Sequence, residues 1–436
     1  MSEAVATPIH APAPRPRHTI PIRWLVAVML LLLSVLNYID RQALSILATT
    51  IQRELSLSDG DYAKVGQAFL LCYTLAYLAS GRIVDRIGPR LAETAFVARW
   101  SVANMLTAFA TGFGSLVGFR CLLGLGEPGH YAVAAKAVGQ WFPPREKGIA
   151  AGMYVMGGTL GAAVAAPLVA WLTLRWGWRS AFVITGALGL VLAGMWWLIY
   201  RAPAEHRWVG EKEAEKLRAH GLLDAGAATA PPPPLRELLR WKPLWLILGV
   251  RMLTDPVWYF YLVWFAKYLQ EVRGYRLDNI GSLAFVFLAA DIGCLASGWI
   301  SGMLIRRGVA PPMARMRVMV ATAAVLGLSF IIPFAPGAVW PLVLASVFAC
   351  CVMLFMTSAV TLPLDLFPRN ALGSAQGIIG MGGSIGGFLS TGLIGWVLTK
   401  HHSYDAVFTA MSFVHPLAAL ALLALLPRFV RTFRPA

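Results

Sequence analysis

Long apolar runs alternate with short polar ones along nearly the whole of the 436-residue chain. About 20 consecutive apolar residues make a helix that crosses the ~30 Å hydrocarbon core of a bilayer. Only helices and closed barrels satisfy their own backbone hydrogen bonds in lipid, and runs of this length select helices. The pattern predicts an all-α membrane protein with twelve transmembrane helices, at residues 24–48, 62–83, 91–111, 114–137, 148–172, 179–200, 243–269, 279–305, 314–333, 339–364, 373–398 and 405–427.

One long polar segment interrupts this pattern. It holds Glu205, Glu211, Glu213 and Glu215 and the run Pro231-Pro232-Pro233-Pro234. A charged helix and a stiff proline stretch suit a solvated connector. The expected organisation is a tail (1–22), a first six-helix bundle (23–200), a linker (201–242) and a second six-helix bundle (243–436). The bundles repeat each other. Gly148, Gly152, Met156, Gly157, Gly158 and Gly161 match Gly373, Gly377, Met381, Gly382, Gly383 and Gly386 at one fixed offset, which also aligns Phe142-Pro143 with Phe367-Pro368 and Trp171 with Trp396. Parallel six-span repeats related by pseudo-twofold symmetry mark one class of secondary transporter. The glycines let helices approach closely and slide.

Composition agrees. The chain is 58% hydrophobic and 13% charged, where a soluble domain carries about 25% charge. Its net charge of +16 raises the question of nucleic acid, and the placement of that charge answers it. Arg15, Arg17 and Arg23 precede span 1, and Arg82, Arg86 and Arg90 join spans 2 and 3. Arg145 and Lys147 join spans 4 and 5, and Arg306, Arg307, Arg315 and Arg317 join spans 8 and 9. Arg428, Arg431 and Arg434 end the chain. The alternate loops hold only Arg53, Arg175, Arg179, Arg273, Arg276 and Lys400. Basic loops stay in the cytoplasm. The expectation is therefore a multi-pass protein of a bacterial inner membrane with both termini cytoplasmic and no nucleic-acid partner. The five cysteines fall inside apolar runs without metal spacing, so neither a metal site nor a disulfide framework is expected.

Within span 1 the chemistry concentrates at Asn37-Tyr38-Ile39-Asp40-Arg41. Each ionised side chain near the centre of a membrane helix costs about 2.5–3.5 kcal/mol on insertion scales. Such residues mark functional sites or charge pairs that hold helices together. A forked guanidinium suits bidentate capture of a carboxylate, and lysine is a poor substitute. Tyr38 lies three residues from Arg41, so both face one cavity. Importing an anion against an inside-negative potential needs a coupled cation. A proton serves where burial and a neighbouring guanidinium set a carboxylate's proton affinity against each other. Asp40 beside Arg41, and Glu127 two turns from Arg120, fit that description. Arg120 with Glu127 also fits a static ion pair.

Gly81-Arg82-Ile83-Val84-Asp85-Arg86-Ile87-Gly88-Pro89-Arg90 resembles the signature loop of the major facilitator superfamily, in which Gly81, Asp85, Arg86, Gly88 and Arg90 take the gating positions. Asp85 there caps a helix end or pairs with a cation across the two halves, latching one conformation. The span 1 motif, Arg120 with Gly124-Leu125-Gly126-Glu127-Pro128-Gly129, Arg251 with Asp255-Pro256-Val257-Trp258, Trp264, and Ala290-Asp291-Ile292-Gly293 resemble the anion:cation symporter family and its hexuronate branch, which imports galacturonate and glucuronate. The resemblance covers the chain from residue 23 onward. It implies proton symport of a sugar acid. Tyr38, Arg41 and Tyr73 would contribute to the substrate site, Asn37 would share it, and Asp40 and Glu127 would carry the protons.

Some residues stay open between roles. Trp258 and Trp264 serve as an apolar wall for a sugar ring or as packing. Arg251 and Asp255, one turn apart, pair with each other or serve the site. Asp291 titrates or pairs with Arg99. Where some relatives carry an amide, this chain has Gly158 and Ser384, which leaves fewer fixed hydrogen bonds and puts substrate identity in question. Another organic anion (galactonate, glucarate or an aromatic carboxylate) is the alternative substrate. A membrane enzyme or sensor would need clustered ligands or a soluble domain. No Gly-x-x-x-x-Gly-Lys loop is present, so the expectation is a non-enzymatic monomer that uses the proton gradient and no cofactor.

Overall fold

The chain was analysed as a computed structural model, in which residues 21–224, 230–275, 283–337, 339–401 and 403–432 are described. The tail with Arg15 and Arg17, part of the linker (225–229), the loop residue Arg276 and the terminal Arg434 lie outside the described residues.

The first half comprises α1 (Ile22–Ile46), the short α2 (Ala48–Glu54), α3 (Asp59–Thr107), α4 (Phe113–Gly126), α5 (Gly129–Trp141), α6 (Pro144–Trp176) and α7 (Trp178–Ile199). The linker carries α8 (Glu211–Arg218) and α9 (Leu235–Leu238). The second half comprises α10 (Lys242–Val263), α11 (Phe265–Arg273), α12 (Ala284–Arg306), α13 (Pro311–Leu326), α14 (Val339–Leu366), α15 (Leu372–His401) and α16 (Asp405–Thr432). Among the described residues ten helices are long and apolar enough to cross a membrane. Two details bring the crossings to the expected twelve. The 49-residue α3 turns at Gly88, whose φ of 78° suits a residue without a Cβ, and so makes spans 2 and 3. Span 4 is two short helices, because Pro128 cannot donate the backbone hydrogen bond that would join α4 to α5.

The halves meet tightly at the end that carries the linker. A Cβ on Gly298 of α12 would lie 2.3 Å from the Gly148 backbone of α6, and one on Gly81 of α3 would lie 2.2 Å from the Gly373 carbonyl oxygen of α15. Only glycine permits this backbone contact. One apolar cluster runs through both halves at this end, through Val84, Trp141, Leu364 and Ile378. Toward the far end it divides into a cluster of the second half around Phe260, Phe265 and Phe408 and one of the first half around Leu44, Trp178 and Phe182.

Polar groups lock the joined end. Asp85 accepts the backbone N–H groups of Gly373 at 3.0 Å and Ser374 at 2.6 Å, capping α15 across the interface, and accepts from Lys136 Nζ at 2.9 Å. On the other side Arg315 donates to the Pro144 carbonyl at 2.9 Å and to Asp365 at 3.1 Å, and Lys147 reaches the Leu364 carbonyl at 2.6 Å. Of the remaining signature-loop residues, Arg90 lies 3.9 Å above the Trp197 ring and donates to the Trp197 carbonyl, and Arg86 is exposed.

The linker departs from a freely solvated connector. Buried Glu213 of α8 accepts the Ile22 N–H at 2.8 Å and the Arg23 side chain at 2.9 Å, so it caps α1. Arg23 also bonds Glu146 in the first turn of α6 at 2.8 Å. Arg82 donates to the Pro233 carbonyl at 2.5 Å and Arg369 to that of Gly221 at 2.9 Å. The charged helix is thus held to the first half through Glu213, and Arg82 and Arg369 reach carbonyls of the linker from the first and second halves.

Gly81→Leu places a side chain where the Gly373 carbonyl stands. An overpacking cost of about 1–3 kcal/mol shifts the conformational equilibrium away from this closed end by about 5–150-fold. Spin-label distances between the linker ends of α3 and α15 should lengthen in the variant, and an unchanged distribution would refute the close-contact argument.

Candidate functional site

α1 brings Tyr38 and Arg41 to one side of the first half, facing α3 and the α4–α5 break. The Arg41 guanidinium lies 5.0 Å from the Tyr38 ring, 4.5 Å from that of Tyr73 and 5.6 Å from that of Phe69. Its Nε and Nη2 donate to one oxygen of Glu127, at 3.0 and 2.7 Å. Glu127 is wholly buried, whereas the Arg41 side chain keeps 20% exposure. A buried carboxylate therefore holds one edge of a cation that is still reachable. The second Glu127 oxygen has no hydrogen-bond partner among the described residues.

Asp40 points away from this pair. Its carboxylate is wholly buried and accepts the Asn104 amide of α3 at 2.8 Å, and its other oxygen meets no hydrogen-bond donor within bonding distance among the described residues. Asn37, equally buried, has neither amide atom engaged. Arg120 forms no direct ion pair with Glu127. It lies 4.9 Å from the Phe69 ring and donates at 3.5 Å to the carbonyl of Arg41. The cation that reaches Glu127 is Arg41 of α1.

The second half closes over these groups. Tyr73 bonds Tyr77 at 3.2 Å, and Thr74 bonds Ser384 of α15 across the interface at 2.8 Å. Arg251 and Asp255 form a buried pair within α10, with Nη2 at 2.6 Å from the carboxylate. Asp291 of α12 accepts the Thr159 hydroxyl of α6 across the halves and is not placed against Arg99. Gly158 lies against Tyr38, whose ring a Cβ there would strike at 2.8 Å. Trp258 packs within the second half, 6.0 Å from Phe287 and 6.2 Å from Tyr261. Trp264 caps α10, 5.5 Å from Lys267 Nζ. Neither indole belongs to the ring around Arg41.

Two tyrosines that sequence reasoning did not single out do belong to it. Tyr259 of α10 lies within electrostatic reach of Arg41, Tyr38, Tyr73 and Asp255. Tyr131 of α5 lies within reach of Arg41, Tyr38, Tyr73 and Tyr77. Both carried a signal. Tyr259 continues the Arg251–Asp255 face at four-residue spacing, and Tyr131 follows Glu127 at the same interval. Among the described residues no cluster of three His, Cys, Asp or Glu side chains is placed to hold a metal ion.

A family model described as Major Facilitator Superfamily matches residues 30–391. The chain is 28% identical over 433 residues to a D-galactonate transporter of Escherichia coli O6:H1, covering 96% of this chain and 97% of the relative. It is 26% identical over 415 residues to the hexuronate transporter of Escherichia coli K12, covering 92% and 93%. A probable sulfoacetate transporter of Cupriavidus necator is 30% identical over 422 residues, covering 94% and 95%. Among solved structures, the proton:xylose symporter XylE bound to 6-bromo-6-deoxy-D-glucose superimposes with a TM-score of 0.74 at 14% identity, over 93% of this chain and 96% of that one. FucP in the outward conformation gives a TM-score of 0.71 at 12% identity, over 92% and 99%.

The Arg41–Glu127 pair sets a measurable stability. Removing either partner alone leaves the other charge uncompensated, at a cost of about 3–5 kcal/mol. The double variant Arg41→Ala/Glu127→Ala should be more stable than the sum of the two losses by about 0.5–3 kcal/mol. Strict additivity in unfolding from mixed micelles would show that the pair contributes nothing.

Proposed function

Because the chain belongs to the major facilitator superfamily, we propose that it is a proton-coupled symporter that imports a sugar acid anion, with a hexuronate such as galacturonate or glucuronate as substrate. The observation that carries this reading is the Arg41 guanidinium, held at one edge by Glu127 and ringed by tyrosines where the two halves meet. A monoanionic sugar acid presents one carboxylate for that guanidinium and several hydroxyls for the phenols of Tyr38, Tyr73, Tyr131 and Tyr259. Ser384 supplies a further hydroxyl. The names of the hexuronate and D-galactonate relatives support the same substrate class.

The coupling follows from charge balance. Arg41 has one buried carboxylate partner. A substrate carboxylate that takes its place leaves Glu127 as an unpaired buried charge, which is costly. A proton on Glu127 removes that cost, so anion and proton bind together. Asp40, buried without a cation in direct contact, takes a second proton in this scheme. The halves then part at the linker end, where Asp85 releases α15, and the site opens to the other side. In this reading the linker end faces the cytoplasm of a bacterial inner membrane, both termini lie on that side, and the monomer is the working unit.

Galactonate is the second reading, favoured by the D-galactonate relative; the missing amide at Gly158 and Ser384 leaves the choice between sugar acids open.

In proteoliposomes with an alkaline interior, galacturonate should accumulate. Asp40→Asn and Glu127→Gln should lose at least tenfold of this pH-driven accumulation while keeping exchange, and full accumulation in both would overturn the coupling scheme. Arg41→Lys should weaken galacturonate binding at least tenfold, since an ammonium cannot reproduce the fork; wild-type affinity would remove Arg41 from the site. Uptake that excess galactonate blocks and excess galacturonate does not would assign the second reading.

A further inference from the structure

Below the Arg41–Glu127 pair lies a second set of buried ionisable groups that this scheme does not use. His130, on the first turn of α5, bonds Glu93 Oε1 of α3 through Nδ1 at 2.5 Å and Ser34 Oγ of α1 through Nε2 at 2.7 Å. All three side chains are 0% exposed. The imidazole is boxed by the edges of Tyr131 at 5.3 Å and Trp100 at 6.2 Å. Gly157 of α6 backs Ser34, where a Cβ would lie 2.4 Å from that of the serine. Besides Glu93, the buried charged side chains on the helices packed here are Arg23 and Asp40 on α1, Asp85 on α3, Arg120 on α4, Glu127 at the α4–α5 break and Lys136 on α5, and the Arg41 side chain is partly exposed.

The arrangement holds one more or one fewer proton without losing a hydrogen bond. With the proton, the imidazolium donates from Nδ1 to Glu93 and from Nε2 to the Ser34 oxygen. Without it, the neutral ring still donates from Nδ1 and accepts the Ser34 O–H at Nε2, the hydroxyl having turned round. A neutral amide in place of His130 or Glu93 would satisfy packing equally well, so a strut has no need of two ionisable groups at a wholly buried position. The free Glu93 oxygen and the unengaged donor and acceptor of Asn37 supply a second observation. Ser34, Asn37 and Arg41 follow one another on one side of α1 at helical spacing. Asn37 therefore stands between the His130 line and the Arg41–Glu127 pair. Farther along α5, Lys136 bonds Asp85 at the linker end.

We infer that Glu93, His130 and Ser34 form a second proton-binding site, placed between the substrate level and the linker end, through which a coupled proton leaves the substrate site. The O–H bond of protonated Glu127 breaks, an N–H bond forms on His130, and the carboxylate returns to Arg41. The transport part of the inference rests on the proton-coupled reading; the proton-binding part does not.

The test uses the full chain, ¹⁵N-labelled at histidine, in lipid nanodiscs without substrate, with His130→Asn assigning the signal. Over a pH titration His130 should show both a ring carrying both N–H protons and a neutral ring. Glu93→Gln should abolish the doubly protonated form, because the compensating carboxylate is gone. A His130 signal fixed in one state throughout the titration would overturn the site. In proteoliposomes, His130→Gln and the double variant Glu93→Gln/His130→Gln should lower the number of protons moved per galacturonate, and a wild-type ratio in both would overturn the exit route. Wild-type protein that moves no protons with galacturonate would instead sink the symport reading and leave the nanodisc result standing.

Discussion

An arginine inside a bilayer must be compensated at every moment, and the first half is built around that requirement. Arg41 keeps its charge under all ordinary conditions, so its neighbours have to change. Glu127 balances it here through two bonds to a single oxygen. Three aromatic faces complete the surround within 6 Å, and each adds the modest attraction of a ring quadrupole for a cation. In the proposed scheme an incoming anion competes with Glu127 for the same guanidinium edge, and the loser sheds its charge. Coupling between anion and proton in that scheme needs no long-range signal, since it is a swap of partners at one cation.

The closed end obeys a different constraint, which is that two large bodies must meet firmly and still separate. Backbone packs on backbone where Gly81 meets Gly373 and Gly148 meets Gly298, so little side-chain interdigitation has to be undone. The locks are polar and directed largely at main-chain groups. Asp85 satisfies the open N–H groups of α15, where the helix dipole also favours an anion. On the other side of the joined end Arg315 turns to the Pro144 carbonyl and Asp365. Glu213 ties the linker to α1 and Arg82 ties it to α3, so the linker moves with the base.

The crossings were legible in the sequence because lipid imposes one rule on every span, and twenty apolar residues satisfy it in any context. The turn at Gly88 falls in the basic loop that separates spans 2 and 3 in the sequence, whereas the break at Pro128 hid inside an apolar run, since it does not change hydropathy. Side-chain pairing was legible only within a helix. Arg251 with Asp255 followed from four-residue spacing, whereas Glu127 with Arg41 depends on how α1 crosses the α4–α5 break, and no local pattern contains that. Tyr259 shows how near periodicity came. The face through Arg251 and Asp255 passes through residue 259, and the tryptophan one position earlier turns into the second half beside Phe287. The linker's packing was illegible for the same reason, because Glu213 gains its role from the end of a helix 190 residues away.

The two halves divide their labour unequally despite their common plan. The first half stacks three acid–base pairs from the site toward the linker end, namely Glu127 with Arg41, Glu93 with His130 and Asp85 with Lys136. The second half brings to the centre one pair, Arg251 with Asp255, closed on itself within a single helix. A pair within one helix keeps its partner when helices move, whereas pairs shared between α1, α3 and α5 are loosened by small shifts at the break. Under the proposed function, exchange of charge belongs to the first half, and the second half supplies tyrosine, serine and glycine surfaces for the neutral part of a ligand. On that proposal, changes that alter which ligand is carried can accumulate on α10 and α15 without disturbing the charges assigned to coupling.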